Sequence, residues 1–211
     1  AEARDAGRDP GAVRLVAVSK KKPPESVREA AAAGQRDFAE NFVQEGLDKI
    51  TAVGIEGLRW HFIGHLQSNK SRAVAEHFDW VHTVDRLRIA RRLSQQRPES
   101  LAPLNICLQV NIDNETGKSG ISVAEAPELA RAVAELPRLR LRGLMCLPAP
   151  REAFEAQRQP FAAMRLLAEQ LQVDGIKLDT LSMGMSNDHR AAIFEGSTMV
   201  RIGTAIFGAR G

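Results

Sequence analysis

Cysteine is scarce in this chain. Its 211 residues include two, Cys107 and Cys146, and each stands in an apolar strand-like run instead of a paired metal-ligand spacing. That argues against a disulfide framework and against a zinc site, and it favours a reducing, cytoplasmic setting. Long hydrophobic runs are missing too. No stretch nears the roughly 20 apolar residues that cross a bilayer, so no membrane partner is expected. Linkers and low-complexity tracts are also missing, which leaves one domain over residues 1–211. The opening "AEARDAGRDPG" has no apolar core of a signal peptide. It begins without Met and in a helical pattern, so a lost N-terminal segment is expected. Tyrosine does not occur at all.

Nor is charge of one sign in excess. Lys and Arg number 29 against 26 Asp and Glu, a net of +3, and the two signs are interleaved. No long single-sign surface follows. The densest basic stretch, "RLRIARRLSQQR" from Arg86 to Arg97, puts Leu87, Ile89, Ala90 and Leu93 near helical spacing. It reads as a solvated helix face, and no nucleic-acid partner is expected.

What remains is a soluble globular composition, 44% apolar and 26% charged, with strong alternation. Strand-like runs at residues 13–20, 36–41, 58–66, 79–85, 104–112, 139–147, 178–185 and 197–208 are separated by helical patterns. Such alternation implies parallel strands with right-handed crossovers. Eight of them predict an α/β fold closed as a (β/α)8 TIM barrel, with a doubly wound open sheet as the alternative. Pro24 marks a first turn, Gly34 a helix end, and Ser122 with Glu125 a capping box before "LARAVAEL". Pro127 falls in or just past that first turn. Pro160 is expected to kink or split the sixth helical stretch. Few residues follow the last strand, so the segment before Asp9 should cover it.

In such a barrel the C-terminal strand ends share one mouth, where function collects. Lys20, Asn41 and Asn111 end the first, second and fifth strands, Ser186 follows the seventh, and Arg201, Gly203 and Thr204 close the eighth. In "LVAVSKKKPP", alternation turns Val16, Val18 and Lys20 inward and Ser19 towards the helices. Lys20 can be an ordinary loop lysine or a Schiff-base amine. For the latter, burial beside Lys21, Lys22 and Arg201 would lower its pKa from about 10.4. "SMGMSNDHRAAI" offers Ser186 as an N-cap whose helix suits an anion, and "RIGTAIFG" offers Gly203 for close backbone approach and Thr204 as a donor. A lysine facing a phosphate cup describes a pyridoxal phosphate (PLP) site and also a cofactor-free Schiff-base aldolase. Ordinary turn chemistry is the plain alternative.

"AVSKKKP", "FAENFVQEGLDK", "WHFIGHLQSNKSR", "KSGI", "LRLRGLMCLPAP", "LSMGMSNDHRAAI" and "GSTMVRIGTAIFGAR" run in order along nearly the whole chain. Together they resemble the pyridoxal phosphate homeostasis family. The resemblance implies an alanine racemase N-terminal-domain barrel that holds pyridoxal 5'-phosphate as an aldimine of Lys20 and serves vitamin B6 and amino-acid homeostasis. It implies phosphate contacts from Ser186, Gly203 and Thr204, Arg201 at the pyridine nitrogen, and Asn41 beside the cofactor. Two positions depart from the family: Ala39 stands for the usual Gly and Phe42 for the usual Tyr.

A cation at the ring nitrogen weakens the ring as an electron sink. Racemisation also needs an acid and a base on opposite faces. Racemases of the related fold pair their lysine with a tyrosine from a second domain, and neither is seen here. His61, His65, His82 and His189 are candidates for the second group, although lone histidines in strands and helices read as structural, and Cys146 reads as an inert thiol. The expectation is a monomeric PLP carrier with little or no turnover whose partners include apo PLP-dependent enzymes. A PLP-dependent racemase or lyase is the first alternative, and the aldolase the second.

Overall fold

Each of the eight strand-like runs forms a strand, and each strand is shorter than its run. The computed structural model describes residues 2–208. Its strands are β1 (Arg14–Val18), β2 (Asp37–Glu40), β3 (Arg59–Phe62), β4 (Trp80–Val84), β5 (Leu104–Val110), β6 (Leu139–Cys146), β7 (Thr180–Ser182) and β8 (Met199–Ile202). They pair in sequence order, and β8 closes on β1 in parallel, with Arg14 beside Met199 and Ala17 beside Ile202. The barrel is closed, so the open sheet is ruled out.

Helices α2 (Pro24–Ala32), α3 (Val43–Val53), α4 (Ser71–His77), α5 (Leu87–Gln96), α6 (Ala126–Ala134), α7 (Phe154–Val173) and α8 (His189–Phe194) fill the crossovers, while α1 (Glu2–Asp5) precedes β1 and α9 (Thr204–Phe207) follows β8. None of them is long and apolar enough to cross a membrane. Pro24 opens α2, where its missing N–H costs nothing, and Gly34 follows its end at φ +101°.

Four expectations need correction. The last run does not continue as a strand: the backbone turns at Gly203, whose carbonyl accepts from the N–H groups of Ile206 and Phe207, so Thr204 begins a helix. Pro160 does not split α7, which runs unbroken for 20 residues. The proline forfeits one hydrogen bond near the helix start, and its ring is buried in the core. The capping box forms reciprocally, with Ser122 N–H on Glu125 Oε2 at 2.8 Å and Glu125 N–H on Ser122 Oγ at 3.3 Å, but on the turn ahead of α6, which starts at Ala126. Finally, α5 does bury Ile89, Ala90 and Leu93, yet Arg97 is not on its solvated face. Its buried guanidinium donates to the carbonyls of Ala75 and Phe78.

Alternation sorts the core into two shells. Phe38, Phe62, Ile106, Leu108 and Leu144 face the helices, while Val16, Ala39, Trp80, Cys107, Met145 and Met199 fill the barrel. Burial of each large apolar side chain is worth about 1.5–3 kcal/mol. Ala3 of α1 packs with Ile193, Val200 and Ile202, and Arg8 donates to the carbonyls of Ile193 and Ser197. The segment before Asp9 therefore covers β8. Register slips on both sides of β5, between Val81 and Val84 on one edge and between Ile106 and Cys107 on the other. Gly143 permits the β6–β7 pairing, since a Cβ there would lie 1.7 Å from the Thr180 carbonyl oxygen.

Candidate functional site

The turn after β1 is tied down from the helix side. Ser19 Oγ donates to Glu40 Oε1 at 2.6 Å, and Lys49 of α3 donates to the Ser19 carbonyl at 2.7 Å. Lys49 Nζ also donates to Glu40 Oε1 at 2.7 Å and to Glu45 Oε1 at 3.0 Å. Glu45 in turn accepts the N–H of Lys21, whose φ is +59°. Burial pushes the Glu40 carboxyl above its ordinary value despite the Lys49 and Ser19 bonds. With Ser19 fixed outward, the inward parity of Val16 and Val18 passes to Lys20, which is half-buried.

Lys20 lines a cavity of about 640 Å³ at the C-terminal mouth of the barrel. Asn41, Ser186, Arg201, Gly203 and Thr204 line the same cavity, so all six candidate residues meet there. Gly64 brings β3 close to Asn41: a Cβ on Gly64 would lie 1.8 Å from the Asn41 carbonyl oxygen. The Asn41 side-chain oxygen is buried with no hydrogen-bond partner among the described residues. Gly203 packs tightly on β1, where an added Cβ would meet the Val18 carbonyl at 3.2 Å. Ser186 is not the N-cap of α8. Asp188 holds that position, its carboxylate turned back onto the Met185 N–H at 2.6 Å, and Ser186 sits in the preceding turn.

Arg201 is buried, with Nη1 donating to Ser182 Oγ at 2.7 Å and Nη2 to the Cys146 carbonyl at 3.0 Å. Burial lowers its pKa, yet a guanidinium keeps its proton. Across the mouth stand His65, Thr83, Gln109, Asn111, Lys118 and Ser119. Thr83 reaches the cavity where register slips between β4 and β5, a feature with no signature in the sequence. Gln109 was equally unmarked. Over this wall, Asp113 accepts the Ala149 N–H at 2.7 Å and pairs with Arg151 at 2.6 Å, tying the loops after β5 and β6 together.

Of the four candidate histidines, His65 reaches the cavity. His61 and His82 are enclosed in the barrel beneath it and bond to each other, Nδ1 to Nε2, at 2.8 Å. His189 is engaged with the Met185 carbonyl and Glu2. Burial pushes both thiols, Cys107 and Cys146, up to about 12, so neither is a nucleophile at neutral pH.

The chain matches the family "Alanine racemase, N-terminal domain" over residues 3–211. It is 59% identical to the pyridoxal phosphate homeostasis protein of Escherichia coli (strain K12), across 100% of this chain and 91% of that one. Among solved structures it is similar to PipY of Synechococcus elongatus with PLP bound, at 38% identity and a TM-score of 0.88 over 98% of this chain and 97% of that chain. An alanine racemase of Clostridium difficile 630 shares the fold at 15% identity and a TM-score of 0.77, over 99% of this chain and 55% of that chain.

Proposed function

Because this chain belongs to the alanine racemase N-terminal domain family, we propose that it binds pyridoxal 5'-phosphate at Lys20 and serves PLP homeostasis with little or no turnover. The observation that carries this reading is the convergence of Lys20, Arg201, Gly203, Thr204, Ser186 and Asn41 on one cavity of about 640 Å³. Those residues fit the cofactor. The buried, unpartnered oxygen of Asn41 is the kind of atom a ligand satisfies. The close packing of Gly203 on β1 leaves backbone, not side chain, facing the mouth.

When bound, PLP supplies an aldehyde carbon that condenses with an amine and a ring that withdraws electrons. Lys20 Nζ is the attachment point, in its neutral form. Thr204 and Ser186, which line the cavity, would hold the phosphate through their hydroxyls. Arg201 would face the ring nitrogen and, being a permanent cation, would keep that nitrogen an acceptor. This favours holding the cofactor over carbanion chemistry. A racemase needs a second proton carrier on the opposite face. The 211 residues include no tyrosine, His61 and His82 do not line the cavity, and both thiols stay protonated; His65 does line it, with Arg86 at 3.4 Å from Nε2 and Ser119 at 3.3 Å from Nδ1. We place this activity in a cytoplasmic monomer that gives up PLP to apo-enzymes.

Borohydride reduction followed by intact mass and peptide mapping tests the assignment. One phosphopyridoxyl adduct on Lys20 is expected, lost in Lys20→Ala with the circular dichroism unchanged. An adduct on Lys70 or Lys118 instead, or none, overturns it. Incubation of the PLP-bound protein with single L-amino acids tests turnover, and sustained loss of enantiomeric purity would replace the carrier with a racemase.

A further inference from the structure

Closed eight-stranded barrels fill their interior with branched aliphatic layers. Here a file of polar side chains runs through the interior beside its apolar filling: Asp37 at the start of β2, His61 on β3, His82 on β4, Ser182 on β7 and Arg201 on β8. All five are buried, the two imidazoles and Ser182 completely. Burial of such groups is costly unless each is bonded, and here each is. Arg201 Nη1 meets Ser182 Oγ at 2.7 Å, Ser182 Oγ meets His82 Nδ1 at 2.7 Å, His82 Nε2 meets His61 Nδ1 at 2.8 Å, and His61 Nε2 meets Asp37 Oδ1 at 3.0 Å. At the far end, Arg59 forks onto Asp37 through Nε at 2.7 Å and Nη2 at 2.6 Å.

The two ends dictate where every hydrogen lies. A guanidinium only donates, and an ionised carboxylate only accepts. Although burial opposes it, the Arg59 fork and His61, with Arg14 nearby, hold Asp37 well below the usual carboxylate range. His61 must then carry its hydrogen on Nε2 and offer Nδ1 as an acceptor. The same follows for His82, and the Ser182 hydroxyl must donate to His82 Nδ1 while accepting from Arg201. With both imidazoles neutral, any other assignment sets two hydrogens or two lone pairs face to face. Burial outweighs Asp37 and Asp79 to lower the pKa of His61, and burial with the Arg201 cation lowers that of His82. Trp80 stacks on His61 with ring centres 5.5 Å apart and closes one side of the file.

We propose that Asp37, His61, His82 and Ser182 are positioning residues, a one-way hydrogen-bonded relay that fixes the Nη1 edge of Arg201 from the opposite end of the barrel. With that edge committed to Ser182 and Nη2 to the Cys146 carbonyl, the rest of the guanidinium meets the cavity in one orientation. The ligand group it meets there, the ring nitrogen, rests on the function proposed above; the relay itself belongs to the chain alone.

Imidazole ¹⁵N shifts of the cofactor-free protein test the relay without any ligand. The chain has five histidines, and substitution of His65, His77 and His189 assigns the other two. Both His61 and His82 are expected as Nε2–H tautomers that do not titrate between pH 5.5 and 8.5. An Nδ1–H tautomer or a titration in either overturns the proposal. The second arm uses bound PLP. Ser182→Ala and His82→Gln are each expected to shift its absorption maximum and speed its release about tenfold, the loss of one charge-assisted hydrogen bond. The double variant should be no faster than the worse single, because both cut one file; multiplied effects refute it. If His82→Gln does not fold, the tautomers and Ser182→Ala decide. Wild-type protein that binds no PLP but shows the expected tautomers would sink the functional reading and leave the relay standing.

Discussion

Replacement of Lys49 with Met probes what holds the Lys20 turn in place. Lys49 is 3% exposed and its partner Glu40 0%. The ammonium serves Glu40, Glu45 and the Ser19 carbonyl at once. Methionine fills much of the same volume but leaves the Glu40 carboxylate buried without a cation. Removal of one member of a buried pair costs about 3–5 kcal/mol. At about 2–4 °C per kcal/mol for a chain of this size, the melting temperature should fall by about 6–20 °C at neutral pH. The pH dependence has a definite sign. Burial already raises Glu40 in the native state, and loss of the cation raises it further. A carboxyl whose folded pKa exceeds its unfolded one is stabilising when protonated, and stability is lost as pH rises through the folded value. The deficit of Lys49→Met against wild type should therefore be smallest at pH 5 and largest at pH 8. Urea unfolding followed by the fluorescence of the buried Trp60 and Trp80 measures it. A Glu40→Gln/Lys49→Met double variant should regain much of the loss. A deficit below about 1 kcal/mol, one that ignores pH, or a double variant no better than the single would refute the reasoning.

Other outcomes follow from the same geometry. Gly64→Ala would drive a methyl into the Asn41 carbonyl, so we expect a cost of about 1–3 kcal/mol and faster PLP loss, read by unfolding and by absorbance decay on dilution. Gly143→Ala meets the Thr180 backbone and should yield little folded protein, measured as the soluble fraction after expression. Both thiols should resist Ellman's reagent at pH 8 in the native state and yield two equivalents in urea, since burial keeps them protonated. The Arg151 bond lowers Asp113, so the stability advantage of wild type over Asp113→Asn should be full above the unfolded aspartate pKa of about 3.9 and be lost as pH falls from there through the lowered folded value, read as urea midpoints across pH.

The barrel was legible in the sequence because strand and crossover helix leave different apolar periods, and eight repeats of that pair close without an alternative partner for β1. Strand ends were not. An apolar run persists past the ladder wherever side chains still face the mouth, so "RIGTAIF" reads as one strand although the backbone winds into α9 at Thr204. Parity placed Lys20 inward, since it continues the strand that turns Val16 and Val18 into the barrel. The capping assignment of Ser186 failed, because Ser186 and Asp188 are both good caps two residues apart and only the turn's geometry decides between them. Thr83 stayed hidden because a slip in register changes which residues share a face. His61 and His82 stood out as titratable groups on neighbouring strands, but their link to Ser182 and Asp37 depends on how far each strand is staggered around the barrel.

The slips flanking β5 divide the mouth into two kinds of wall. Lys20, Arg201, Gly203 and Thr204 issue from β1 and β8, which pair in even register, whereas Thr83, Gln109 and Asn111 issue from the irregular β4–β5 side. The cavity is therefore shared between strand ends in step at β1 and β8 and strand ends out of step at β4 and β5, and a substitution at the mouth meets a different backbone geometry on each side.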